Sequence, residues 1–407
     1  MTAPAGKRHP LRINVASEKR LREGSPWVYH DGITEGGESA VSGDLGVVFD
    51  RKGRFLAAGL LDPDSPIRLR VLQAIKPETI DEAWYFRRFS EAVALRGPLR
   101  ERARKTNGFR LVNGESDHFP GLIADRYADT VVLKLYTTAW IPHLPIVLNA
   151  LVTAFPHERT VLRLNRSCIR SKPLLKGYSD GQVLRGSPLS GPVIFQENGL
   201  SFEAEPIVGQ KTGFFLDQRD NRARVGELSG GLDVLNVFSY TGGFSLYAAR
   251  GGATSVASVD ISRPATEAAI RNFTLNKSDR SVAACHHEPI CQDAFQVLEG
   301  FARQGRSFDL VILDPPMFAQ SSAQVDQALQ AYARLTAAGL SVLRPGGILV
   351  QASCSNRVSA TDFFRCIHHA ATLAGRPLQE IERTGHGIDH PVTFSDGSYL
   401  KCLFARA

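Results

Sequence analysis

FDLVILD (308–314) is a nearly unbroken apolar run of strand length that ends on a carboxylate. A strand with one wet face alternates apolar and polar residues, so an unbroken run calls for cover on both faces. Helices crossing over between parallel strands give that cover, which commits this part of the chain to an α/β sheet. The neighbouring sequence agrees. DVLNVF (233–238) and SVASVD (255–260) read as apolar strands, followed by helices over 244–250 and PATEAAIRNFTLNK (264–277). Beyond FDLVILD the pattern predicts a helix over about 324–343, a strand GGILVQAS (346–353), a helix over about 360–374 and a last strand YLKCLFAR (399–406). The series describes a doubly wound, Rossmann-like sheet.

The first half has a different grammar. LRINVA, GDLGVVFD, GRFLAAGLL and PIRLRVLQ, within 11–75, are short strands parted by Gly, Pro and Asp, as in a small β-barrel. A helical turn is expected at KRLREG (19–24), before SPWVY (25–29). Lys19, Arg20 and Arg22 beside Trp27 mix cations with an aromatic ring, a pattern of nucleic-acid readers; an ordinary solvated turn gives the same pattern. Residues 77–104 read as helical and lead into the basic run Arg96, Arg100, Arg102, Arg104 and Lys105. The stretch 109–200 alternates as an α+β unit and carries a second basic cluster, Arg163, Arg166, Arg170, Lys172 and Lys176. Three segments are expected, 1–76, 77–200 and 201–407, since 407 residues exceed what one hydrophobic core usually supports.

The net charge of +7 is concentrated in the first half: residues 1–205 hold 29 Lys and Arg against 23 Asp and Glu, and residues 206–407 hold 19 against 18. A basic accessory region beside a near-neutral half suits a polyanion such as RNA. The N-terminal MTAPAGKRHP has no apolar segment of the secretory kind, and no apolar run is long enough to span a membrane. The six cysteines show no CxxC pair, so reduced thiols in a cytoplasmic protein are expected.

The chemistry gathers where the strands end. NVFSYTGGF (236–244) is a strand–loop–helix in which Gly242 and Gly243 allow a tight turn against a ligand, although GxGxxG is absent. Asp260 ends the next strand, where a carboxylate receives the two hydroxyls of a ribose; NAD and S-adenosylmethionine fit equally. Asp293 in CQDAF could receive an adenine amino group or cap a helix. LDPPMF (313–318) holds Asp314 at the end of a strand, with Pro315 and Pro316 stiffening a loop on which a flat base could lie. Enzymes that methylate exocyclic amines place an aromatic directly after the second proline; here that position is Met317, and Phe318 follows one place late.

Cys354 in QASCS (351–355) follows another apolar strand. Carbon 5 of cytosine is too weak a nucleophile to take a methyl group unaided, and a thiolate adding to carbon 6 makes it enamine-like. Asp314 at the N3 and amino edge would stabilise that adduct. A small core cysteine is the plain alternative. CHHEPIC (285–291) has ligand-type residues, but no second cluster completes a tetrahedral metal set.

QKTGFFLDQRDNR (210–222), VLNVFSYTGGFSLYAARGGA (234–253), DPPMF (314–318), SCS (353–355) and HPV…GSYLK (390–401) resemble the RlmI-like large-subunit rRNA methyltransferases. SPWVY (25–29) looks like the start of that family's PUA domain, and RLVNGESDHFPGLIADRY (110–127) like its central domain. The resemblance implies a PUA domain, a central α+β domain and a class I methyltransferase domain using S-adenosylmethionine, with 5-methylcytidine in 23S rRNA as the product. It implies that Phe238, Tyr240, Gly242, Asp260, Asp293 and Asp314 surround the cofactor, with Gln218 near its methionine end and Cys354 as nucleophile. Homodimerisation is expected on the same ground. The family's usual DPPKF reads DPPMF here, removing a cation from the substrate side. Three other readings stay open: a guanine-N7 or amino-group RNA methyltransferase, a dinucleotide-dependent oxidoreductase and a non-catalytic RNA-binding assembly factor.

Overall fold

The computed structural model describes residues 6–101, 105–319 and 321–407. They form two compact units: Met1–Gly199 with Ala204–Leu216 and Ile388–Gly397, and Leu200–Glu203 with Asp217–Gly387 and Ser398–Ala407. Arg102 and Arg104 of the first basic run lie outside the described residues.

The first unit begins with a six-stranded mixed sheet whose edges are Trp27–Tyr29 and Ile33–Glu35. Only His30–Gly32 separates those two edges in sequence, so the sheet must roll up, as a barrel does. The helix near its start is Val15–Arg22, longer than the expected turn, because Asn14 caps it by accepting a hydrogen bond from the Ser17 N–H. A five-stranded sheet follows: Gly108–Asn113, Leu122–Tyr127 and Thr130–Leu135 form an antiparallel meander, and Arg159–Leu164 returns parallel after the helix Leu144–Ala154. Trp84, Tyr85, Phe89, Phe119 and Trp140 fill the core beneath it.

Ile388–Gly397 lies far along the chain yet packs into this unit. Arg96 donates to the Asp389 carbonyl, Asn113 to the Pro391 carbonyl, and Phe394 meets the Trp27 ring edge-on at 5.3 Å. The Trp27 indole N–H is held by Glu115 at 3.0 Å, and the half-buried ring takes part in this packing.

The second unit contains a seven-stranded sheet in the order His286–Cys291, Ser255–Asp260, Asp233–Val237, Phe308–Leu313, Leu343–Ser353, Lys401–Arg406, Gln379–Thr384. The first five strands are parallel, and Lys401–Arg406 runs antiparallel to both neighbours. The apolar runs behave as two buried faces require. Leu235, Val237, Val311, Leu313 and Leu349 enter one core, and Val234, Leu310, Ile312, Ile348 and Val350 enter the core on the other side. Gln379–Thr384 (QEIERT) is an edge strand that the sequence does not betray, since one side of it lacks a neighbouring strand and most of its side chains are polar.

Candidate active site

In open α/β sheets the ligand crevice lies beyond the carboxyl ends of the strands, where the winding direction reverses. Here that point falls between Asp233–Val237 and Phe308–Leu313, flanked by the loop after Val237 and by the LDPP turn. Phe238 and Tyr240 hold positive φ of 62° and 48°, and Gly242 has φ 77°. Left-handed backbone at a non-glycine residue costs on the order of 1–3 kcal/mol and persists only where its surroundings fix it. The fixing contacts are visible: Ser239 N–H donates to the Val259 carbonyl at 2.9 Å, and Tyr240 N–H to Asp260 Oδ2 at 2.8 Å. Ser262 N–H binds the other Asp260 oxygen at 2.8 Å. The Asp260 carboxylate is thereby oriented, each oxygen retaining acceptor capacity for a vicinal diol. A Cβ on Gly242 would stand 2.9 Å from the Ala269 methyl, so this glycine also lets the helix Arg263–Leu275 approach. Thr241 is buried and its hydroxyl has no partner among the described residues; a polar ligand atom would satisfy it. The oriented carboxylate, the strained loop and that hydroxyl fit S-adenosylmethionine.

Asp314 emerges from Phe308–Leu313 into the same crevice. Gln218 Nε2 donates to its Oδ1 at 3.0 Å, Asn221 Nδ2 donates to Gln218 Oε1 at 2.5 Å, and Thr384 Oγ1 donates to Asn221 Oδ1 at 2.5 Å. This chain of side chains fixes the Gln218 amide and presents the carboxylate in one orientation. Beside it, Tyr399 donates its hydroxyl to Asp217 at 3.0 Å.

Cys354 follows Leu343–Ser353 on the neighbouring parallel strand, half-buried. Tyr332 reaches Ser353 from the helix Val325–Ser341, hydroxyl to hydroxyl at 2.8 Å, and burial pushes its phenol up to about 12. Directly across the antiparallel pair from Ser353 stands Lys401. It is 5% exposed, and its ammonium donates to the carbonyls of Ser355 and Val358, both at 2.5 Å. Sequence reasoning assigned no role to Lys401, Asn221 or Tyr332. A lysine inside the apolar strand YLKCLFAR was a signal for the first; the other two carry none.

Asp293 caps the helix Ala294–Arg303 by accepting from Gln296 N–H at 3.1 Å, which commits one of its oxygens. In the LDPP loop Pro315 is buried, Pro316 and Met317 are exposed, and Phe318 packs 5.0 Å from the Tyr332 ring. Lys19 and Arg20 are exposed on Val15–Arg22, whereas Arg22 is paired with Glu18 and Asp50. Two cations of the basic clusters are structural: Arg96 is fully buried in a two-pronged pair with Asp117, and Arg163 binds Asp180 and the carbonyls of Pro206 and Gly209. In CHHEPIC, His287 stacks on Phe273 at 3.7 Å and meets the Ser258 hydroxyl, so it serves the core, and the described residues contain no cluster of three or more metal-ligating side chains.

A reversing parallel sheet closed by an antiparallel strand, with an oriented acid after its second strand and an acid–diproline loop after its fourth, is the arrangement of a class I methyltransferase. Comparison with known proteins agrees. Residues 140–400 match the S-adenosylmethionine-dependent methyltransferase family model, and residues 11–74 match a PUA-like domain. The "Ribosomal RNA large subunit methyltransferase" of Deinococcus radiodurans is 47% identical, covering 100% of both chains. The "Ribosomal RNA large subunit methyltransferase I" of Aeromonas salmonicida is 37% identical over 96% of this chain and 97% of its own. The SMU.776 protein complexed with SAH shares the fold, with a TM-score of 0.82 at 21% identity over 98% of this chain and 100% of its own. The chain belongs to this family of S-adenosylmethionine-dependent ribosomal RNA large subunit methyltransferases. Among the described residues, no helix is long and apolar enough to cross a membrane.

Proposed function

We propose that the protein methylates carbon 5 of a cytidine in 23S rRNA in the cytoplasm, with Cys354 as covalent nucleophile. One observation carries the reading: a thiol and an oriented carboxylate, Cys354 and Asp314, follow adjacent parallel strands beside the cofactor loop. The names of the full-length relatives support the RNA class. When bound, S-adenosylmethionine supplies an electrophilic methyl group. Tyr240 and Thr241 hold it through the loop, Asp260 its ribose, Asp293 its adenine edge, and Gln218 its methionine end.

Cys354 Sγ adds to carbon 6 of the base, which makes carbon 5 nucleophilic. Asp314, entering as the protonated acid, donates its proton to N3 as the Sγ–C6 bond forms and accepts from the 4-amino group, which leaves a neutral, enamine-like adduct. After carbon 5 is methylated, water takes its proton, the electron pair left behind forms the C5–C6 double bond and expels Sγ as the thiolate, and N3 returns its proton to Asp314. Pro316 faces the substrate, Pro315 and Phe318 brace the loop from beneath, and Lys19, Arg20 and Arg22 contact RNA phosphates. Mass spectrometry of rRNA nucleosides from a deletion strain tests the product. Loss of 5-methylcytidine is expected; loss of 7-methylguanosine with 5-methylcytidine intact would reject the proposal.

A further inference from the structure

Lys401 is a cation in an unusual place. Its side chain is buried, and among the described residues no carboxylate lies within ion-pair distance of Nζ. An unpaired charge taken out of water costs several kcal/mol and calls for a compensating partner. Two backbone carbonyls compensate in part. They belong to Ser355 and Val358, residues of the turn that begins at Cys354. An ammonium has three donors, and these bonds engage two of them. Lys401 also sits opposite Ser353 in the sheet, one residue from the thiol.

We propose that Lys401 is the positioning residue for the Cys354 nucleophile: its ammonium clamps the 355–358 turn and supplies the positive charge that favours the thiolate. The inference rests on the reading of Cys354 as nucleophile. Four elements bring titratable groups to this neighbourhood: Lys401 from the last strand, Tyr332 from the helix Val325–Ser341, Asp314 from the turn after Phe308–Leu313, and Cys366 from the helix Ala360–Leu373, the last two lying with Cys354 within electrostatic range of Tyr332. Tyr332 is neutral at neutral pH, because burial raises it to about 12. None of Tyr332, Asp314 and Cys366 can carry a positive charge, so the cation must come from elsewhere, and Lys401 provides it. Burial lowers the ammonium to about 8 even though the charge of Cys354 pulls it upward. By reciprocity, an ammonium stabilised by a thiolate lowers that thiol's pKa by the same coupling.

The test is the pH dependence of Cys354 alkylation by iodoacetamide in the full chain, read by mass spectrometry. No other cysteine lies between Arg334 and Arg357, so the tryptic peptide reports this thiol alone. The wild type should titrate below the ordinary thiol value of about 8.5. Lys401→Met should raise the inflection by about one unit, slowing alkylation at pH 7 about tenfold, and Lys401→Arg should restore it. An unchanged inflection in a folded Lys401→Met, or a wild-type inflection at or above about 8.5, would overturn the proposal. If Lys401→Met fails to fold, the wild-type curve alone decides. Cys354→Ala separates the two claims: full methylation by that variant rejects the nucleophile while leaving the thiol titration to stand or fall by itself.

Discussion

The Gln218 amide donates to Asp314 Oδ1 at 3.0 Å, joining residues 96 positions apart. The same amide accepts from Asn221, so it cannot turn without losing a bond at each end. Gln218→Leu removes both and leaves a buried Asn221 donor with one partner fewer, costing about 1–3 kcal/mol of stability. Methyl transfer should fall about 10- to 100-fold in kcat, with a smaller change in KM for RNA, because an acid that has lost its orientation stabilises the adduct poorly. Steady-state kinetics on an rRNA fragment and a thermal melt check both statements.

Asp260 uses both oxygens to hold backbone N–H groups of a strained loop. Asparagine keeps the size but turns an NH2 toward one of those donors. Asp260→Asn should weaken S-adenosylmethionine binding about 10- to 100-fold by calorimetry, in line with the loss of one or two hydrogen bonds to a charged acceptor. Unchanged affinity would separate this carboxylate from the cofactor.

Arg96 is fully buried and grips Asp117 with both ends of its guanidinium. Asp117→Ala strands that charge and should destabilise the protein by about 3–5 kcal/mol, measured by urea unfolding. Replacing a surface partner such as Glu23, which stands 3.8 Å from Lys19 with both side chains exposed, should change little.

His287 is stacked on Phe273, and burial holds its imidazole down to about 4. Its folded value lies below the ordinary 6.5, so the unfolded chain binds the extra proton first as pH falls. This residue's contribution is fully present above about 6.5 and is lost progressively as pH falls from there toward 4. The melting temperature should drop across that window, and His287→Phe should flatten the drop. An identical pH profile in the variant would remove His287 as the cause.

Much of the second unit was legible in advance because its central strands are buried on both faces, and runs such as FDLVILD can do little else. The acids at strand ends were legible for the same reason, since the strand fixes where the next residue points. The edge strand QEIERT was not, because one of its sides has no neighbouring strand and its polar residues resemble a loop. Nor was the packing of Ile388–Gly397 into the first unit, which depends on hydrogen bonds to Arg96 and Asn113 almost 300 residues earlier (separations 293 and 278). The brace behind Asp314 and the clamp behind Cys354 were hidden in the same way. Asn221, Thr384 and Lys401 carry no local pattern that announces which distant atom each will meet.

Covalent catalysis at this site needs one thiol, Cys354, and a trapping experiment probes it. RNA bearing 5-fluorocytidine at the target position cannot lose its carbon-5 substituent as a proton, so the adduct cannot resolve. With S-adenosylmethionine present, the wild-type chain should form a covalent complex stable in denaturing gels, joined through Cys354 Sγ, and Cys354→Ala should form none. An undiminished adduct with Cys354→Ala, or no adduct with a wild-type enzyme that methylates the same RNA, would contradict covalent catalysis by this residue.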